Sequence, residues 1–156
     1  MSLRVQAADF DVAAEYAALC ADGGDSGGVT MFVGRVRQDG DLAAVTNMHL
    51  EHYPGMTEKA LQAIAAEAAA RWPLTAVRIV HRVGELAPGA QIVFVGVSAA
   101  HRAAAFSACE FLIDWLKTRA PFWKRESDAA GVSRWVEQKA SDRDRAGRWQ
   151  DGEPPR

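Results

Sequence analysis

Within ten residues, Lys117 to Glu126 (KTRAPFWKRE), the chain gathers Lys117, Arg119, Lys124 and Arg125 around Pro121 and beside Phe122 and Trp123. Cationic groups next to apolar rings form a candidate anion site, and a setting in which a lysine pKa is pushed down. A neutral lysine is a base or a nucleophile. Pro121 lacks an N–H and its ring clashes with the preceding helical turn, so it ends a helix. Lys117 is therefore expected in the last turn of a helix, and Lys124 beyond the break, on a strand. Each lysine alone also suits a solvated surface, and one at a helix C-terminus simply complements the dipole. Their combination with Arg119, Arg125 and Pro121 is what points to a site.

Two further groups carry potential chemistry. In Met31 to Arg37 (MFVGRVR), Phe32 precedes Gly34, Arg35 and Arg37. Arg35 and Arg37 are two apart and would share a strand face, and Gly34 permits close approach of a backbone or ligand. His101-Arg102 follows an apolar strand and opens a long helix, where backbone N–H groups attract anions. Glu51-His52-Tyr53 suits strand pairing or a subunit contact better than catalysis. The chain has no serine elbow, no phosphate loop and no histidine pair at zinc spacing, so no metal or cofactor is expected. Sixteen steps separate His101 from Lys117, about 24 Å along one helix. A single small pocket in one chain cannot use both. If both serve one site, two subunits contribute, which predicts a symmetric dimer with two equivalent sites.

The elements that must position these residues follow from pattern and punctuation. Asp9 or Asp11 caps a first helix to about Cys20. A Gly-rich loop spans 22–28. Residues 29–36 and 45–53 read as strands, joined by the polar turn 37–44 into a hairpin. A helix follows over about 56–72, with Leu61, Ile64, Ala65, Ala68 and Trp72 at helical spacing. Residues 77–83 alternate as a half-buried strand, 84–89 form a turn, and 92–97 form a central strand. A long helix covers about 100–118. Residues 122–126 and 134–139 make a second hairpin. The sum is an α+β fold, with two long helices packed on a largely antiparallel sheet.

The length of 156 residues favours one domain, expected over 1–149, with a charged, flexible tail over 150–156. The charged stretch from Ser141 onward is expected to be loosely held unless Trp149 docks. A net charge of −2 lacks the basic footprint of a nucleic-acid binder, and any anion site must be local. No secretory leader and no bilayer-length apolar run is visible, which points to the cytoplasm and away from a membrane. Cys20 and Cys109 read as buried thiols in a reducing compartment.

At these residues the chain resembles the large, catalytic subunit of molybdopterin synthase, the MoaE family. The resemblance rests on Phe32 to Arg37 (FVGRVR), Leu50 to Lys59 (LEHYPGMTEK), His81 to Glu85 (HRVGE), Val93 to Val97 (VFVGV), His101-Arg102 and Lys117 to Glu126, and covers roughly residues 3–149. It implies an α/β hammerhead-like fold with an additional small antiparallel β subdomain. It implies an enzyme that converts cyclic pyranopterin monophosphate (precursor Z) to the molybdopterin dithiolene. The sulfur arrives as a thiocarboxylate on the C-terminal glycine of a small ubiquitin-like subunit, the MoaD-like sulfur carrier. The implied assembly is a heterotetramer around a central homodimer of large subunits. Lys117 then takes the central role, as general acid/base or transient nucleophile, and Lys124 steadies negative charge or shuttles a proton. Arg37, with His101 and Arg102 of a second subunit, would hold the phosphate and pterin. Phe32, Arg35, Val36, Arg125 and Glu126 would line the same pocket.

A different class of reading is a non-catalytic module that holds an anionic metabolite or a partner's C-terminal tail in the same basic pocket. A single-stranded nucleic-acid binder is a poor third, because the acidic net charge opposes it.

Overall fold

The computed structural model describes residues 1–39 and 44–150. The polar turn expected over 37–44 falls partly, and the tail over 150–156 mostly, outside the described residues. Eight strands and four helices are described: β1 Ser2–Gln6, α1 Val12–Leu19, β2 Gly28–Arg35, β3 Val45–His52, α2 Met56–Arg71, β4 Leu74–Arg82, β5 Gly84–Leu86, β6 Gln91–Ala99, α3 Arg102–Arg119, β7 Phe122–Asp128, β8 Ser133–Val136 and α4 Ala140–Gly147.

The strands form two four-stranded sheets. The first has the order β1-β4-β6-β2, antiparallel except for the parallel β1–β4 pair, and the second has the order β5-β3-β7-β8, antiparallel throughout. This is the expected α+β fold with a largely antiparallel main sheet and a smaller antiparallel unit. The central strand expected at 92–97 is β6, inside the first sheet.

Both faces of the first sheet are covered. Val77, Ile79, Val95 and Val97 face the core made by Leu61, Ile64 and Ala65 of α2 and Ala105, Phe111 and Leu112 of α3. Val80 and Phe94 point the other way, onto Phe10 and Leu19 at α1. Gly96 makes that second contact possible, because a Cβ there would stand 2.5 Å from Leu19 Cδ1. The Asp11 carboxylate caps α1 by accepting from the Ala13 and Ala14 amides. Glu15 of α1 is buried between Arg4 of β1 and Arg78 of β4, tying the helix to two strands. A third cluster, Val36, Met48, Leu50 and Leu86, with Ala90 and Ile92 against it, seats the second sheet at the Gln91 end of the first.

Three expectations are corrected, one strand is new, and one condition is met. β2 and β3 do not form a hairpin. β2 pairs with β6 and β3 with β7 and β5, so the segment between them crosses from one sheet to the other. The apolar residues decide this: Val29 and Val33 belong to the α1 side of the first sheet, whereas Met48 and Leu50 belong to the third cluster. The turn expected over 84–89 contains β5, an edge strand whose pairing with Met48 to Leu50 no local pattern announces. β1 is a strand that sequence reasoning did not find, although Leu3 and Val5 alternate with Ser2, Arg4 and Gln6 and pack against the main core; the run is only five residues long. The stretch from Ser141 meets the condition set for its being held: it contains most of α4, and Trp149 docks, buried against Trp72 and Phe111. Buried Asp114 accepts both the Trp149 indole N–H at 2.8 Å and Arg148 at 2.9 Å. Finally, Cys109 is a buried free thiol, but Cys20 is exposed at the C-cap of α1.

Candidate active site

The helix break at Pro121 is built as expected. α3 ends at Arg119, Ala120 is extended (φ −81°, ψ 131°), and β7 begins at Phe122. Two residues therefore join the helix bearing Lys117 to the strand bearing Lys124. The Phe122 amide donates to the Ala120 carbonyl at 2.9 Å, closing a three-residue turn around Pro121.

Lys117 is about half exposed. Its Nζ lies 3.7 Å from Asp142 Oδ1 on α4, and its carbonyl accepts from Gln138 Nε2 at 2.7 Å. Lys124 Nζ lies 3.8 Å from Oε1 of Glu126, a carboxylate that is 3% exposed. Lys124 and Glu126 sit two apart on β7, opposite Leu50 and Met48 of β3, so both face the inner side of the second sheet. Arg125 points the other way. It pairs across the strands with His49 and Trp135 and lies over the Trp135 ring, 5.5 Å from its centroid. The structure thus brings Lys124 and Glu126 to one face and sets Arg125 on the opposite face.

Phe32 is partly exposed on β2, with Gly34 beside it on the same face. A Cβ on Gly34 would stand 2.8 Å from Val93 Cγ1 and 3.3 Å from the Phe32 ring, so this glycine is required by close packing. The strand pairing slips between Gly34 and Arg35, which breaks the simple two-residue phase expected for Arg35 and Arg37. Arg35 Nε donates to the Gly89 carbonyl at 3.0 Å, while Arg37 is exposed just beyond β2. Val36 is buried. Its amide donates to the Ala90 carbonyl and its carbonyl accepts from the Gly89 amide, so its backbone is already committed.

His101 and Arg102 occupy the other end of the molecule. His101 is the N-cap residue of α3 with no side-chain cap bond, and both residues are exposed. Gly28 of β2 lies against Arg102, so this corner is the start of β2. Arg35 at its end is seven steps away, about 24 Å. α3 follows β6, packs back on β6 and β2, and carries Lys117 to the Arg35 end. One chain therefore assembles Arg35, Arg37, Lys117 and Lys124 toward one end and leaves His101 and Arg102 at the other.

Sequence reasoning missed Asp142 and His81. Asp142 reaches Lys117 only because α4 docks, and the buried Trp149 was the available signal. His81 carries a strand alternation, but nothing local shows that its ring stacks on Phe122, with centroids 3.6 Å apart at 12°. Among the described residues, no group of three or more His, Cys, Asp or Glu side chains is placed to hold a metal ion.

The chain is a two-sheet α+β domain with Lys117 and Lys124 on either side of a helix-to-strand break, each beside a carboxylate. The family model described as MoaE protein matches residues 5–119. The molybdopterin synthase catalytic subunit of Pseudomonas aeruginosa is 56% identical over 151 residues, covering 97% of this chain and all of that protein. A molybdopterin biosynthesis MoaE protein from Burkholderia ambifaria shares the fold with a TM-score of 0.81 at 52% identity, covering 96% of this chain and 97% of that one. The molybdopterin synthase of Staphylococcus aureus superposes with a TM-score of 0.77 at 31% identity, covering 85% and 95%. The chain belongs to the MoaE family.

Proposed function

We propose that this chain is the catalytic subunit of a molybdopterin synthase, a sulfurtransferase of molybdenum cofactor biosynthesis. It takes sulfur from the thiocarboxylated C-terminus of a small ubiquitin-like subunit and delivers two sulfurs to cyclic pyranopterin monophosphate. The observation that carries the reading is the two-residue Pro121 junction, which fixes Lys117 and Lys124 on adjoining elements in a MoaE-family chain. Lys117, ion-paired with Asp142, moves protons at the reacting carbonyl or sulfur. Lys124, held beside Glu126, steadies the negative charge that develops there. Arg35 and Arg37 supply cationic charge for the phosphate, and Phe32 an apolar wall.

His101 and Arg102 complete the site from a second copy of the chain, in a homodimer flanked by two small subunits. Their separation of about 24 Å from Lys117 along α3 supports this assembly. Two free thiols, one of them exposed, support a reducing cytoplasm. No helix among the described residues is long and apolar enough to cross a membrane.

The test is turnover of cyclic pyranopterin monophosphate with a thiocarboxylated small subunit. Lys117→Ala is expected to lower kcat by about 100-fold or more while still binding the small subunit. A folded, partner-bound wild type that forms no dithiolene would instead favour a binding module.

A further inference from the structure

We propose that His81 is a positioning residue for the transfer reaction, acting through its stack on Phe122 to fix the Pro121 turn and hence the placement of Lys124 relative to Lys117. This rests on the reading above. His81 lies on β4, an interior strand of the first sheet, paired with Val93 on one side and Val5 on the other. It is 8% exposed, so its backbone and ring belong to the rigid part of the molecule. Phe122 is the first residue of β7 and belongs to the second sheet. The stack therefore bridges the two sheets at the residue following Pro121.

The ring orientation is fixed from its own side. His81 Nδ1 lies 2.8 Å from the Arg82 carbonyl oxygen, which can only accept, so Nδ1 carries the proton and donates. That leaves a neutral imidazole lying flat against a neutral phenyl ring. The burial that holds its pKa down to about 4 keeps it neutral at physiological pH.

A second tie acts on the preceding residue. Thr57 of α2 is fully buried; its hydroxyl accepts from the Tyr53 amide at 3.0 Å and donates to the Pro121 carbonyl at 3.4 Å. Pro121 and Phe122 are thus held, one by its carbonyl and one by its ring, from two different elements. With only Ala120 and Pro121 between α3 and β7, a shift of Phe122 passes to Lys124 with no slack to absorb it. Displacement of a reacting group by about 1 Å can cost 100-fold in rate.

The experiment compares wild type, His81→Ala, His81→Phe, Phe122→Leu and Thr57→Val as full-length chains. Each is assayed with the thiocarboxylated small subunit and cyclic pyranopterin monophosphate, well below its melting temperature. His81→Ala and Phe122→Leu are expected to lower kcat by about 10- to 100-fold with KM changed less than threefold. Thr57→Val should show a smaller loss of the same kind. His81→Phe, which restores a flat ring, should recover most of kcat even though it loses the bond to Arg82. Phe122→Leu keeps the test open if His81→Ala does not fold, because Phe122 is only partly buried. Variants that melt earlier but keep wild-type kcat would overturn the proposal and leave His81 a packing residue. Equal losses in His81→Phe and His81→Ala would overturn it too. Absence of turnover in wild type would instead sink the functional reading on which it rests.

Discussion

His81 gives the molecule a specific sensitivity to acid. Burial lowers its pKa from 6.5 to about 4, with the Arg82 carbonyl opposing and His52 adding to the shift. Between those values the unfolded chain binds a proton that the folded chain does not. Stability therefore falls as pH drops from 6.5 to about 4 and levels off below, by on the order of 3 kcal/mol. Urea denaturation at several pH values should show this slope in wild type and a flatter one in His81→Phe. Cys109 shows the same physics with the opposite sign of charge: burial pushes its thiol up to about 12, so it stays protonated and inert. Alkylation at neutral pH should label the exposed Cys20 and spare Cys109 in the native chain.

At the scale of elements, most of the site's frame was legible in the sequence, for physical reasons. Pro121, the apolar stripe of α3, the alternation in β4 and the apolar run of β6 are local signals, and the elements formed where those signals lay. Sheet pairing was legible only for the local β7–β8 hairpin. Whether β2 joins β3 or β6 depends on which buried face each strand serves, and the partners that decide it lie far along the chain: Val33 pairs with Phe94, and Leu50 with Lys124. Likewise Arg125 reads as a neighbour of Lys124 in sequence, but a strand sends adjacent residues to opposite faces. The docking of α4 depended on one tryptophan meeting Asp114 and Arg71, which spacing alone does not reveal. Two predictions belong here. Glu15→Gln leaves Arg78 facing a neutral partner at a buried site and should cost about 2–3 kcal/mol, discounted because Arg4 is well exposed. A melting curve checks it. Trp149→Ala removes a buried indole, but α4 can undock locally, so the global loss should stay below roughly 3 kcal/mol. Trypsin cleavage after Lys139 and Arg143 should accelerate.

For the whole molecule, the separation of His101 and Arg102 from Lys117 is the feature that matters. If each site is shared between two copies, then Lys117→Ala and His101→Ala chains, each inactive alone, should complement one another when mixed and reassembled. Random exchange gives half mixed dimers, each with one intact site of two, so activity should return to about a quarter of wild type. No recovery after verified exchange would show that each site is built within one chain.

The two-residue junction at Ala120-Pro121 also sets where this chain can change length. At the β7–β8 tip, around Ala130 and Gly131, an added residue meets solvent and disturbs only a hairpin end. Between Arg119 and Phe122 an added residue would slide β7 by one position against β3. It would turn Lys124 and Glu126 outward and Arg125 inward. Insertions and deletions should therefore be tolerated at the first place and silence the enzyme at the second, even where the altered chain still folds.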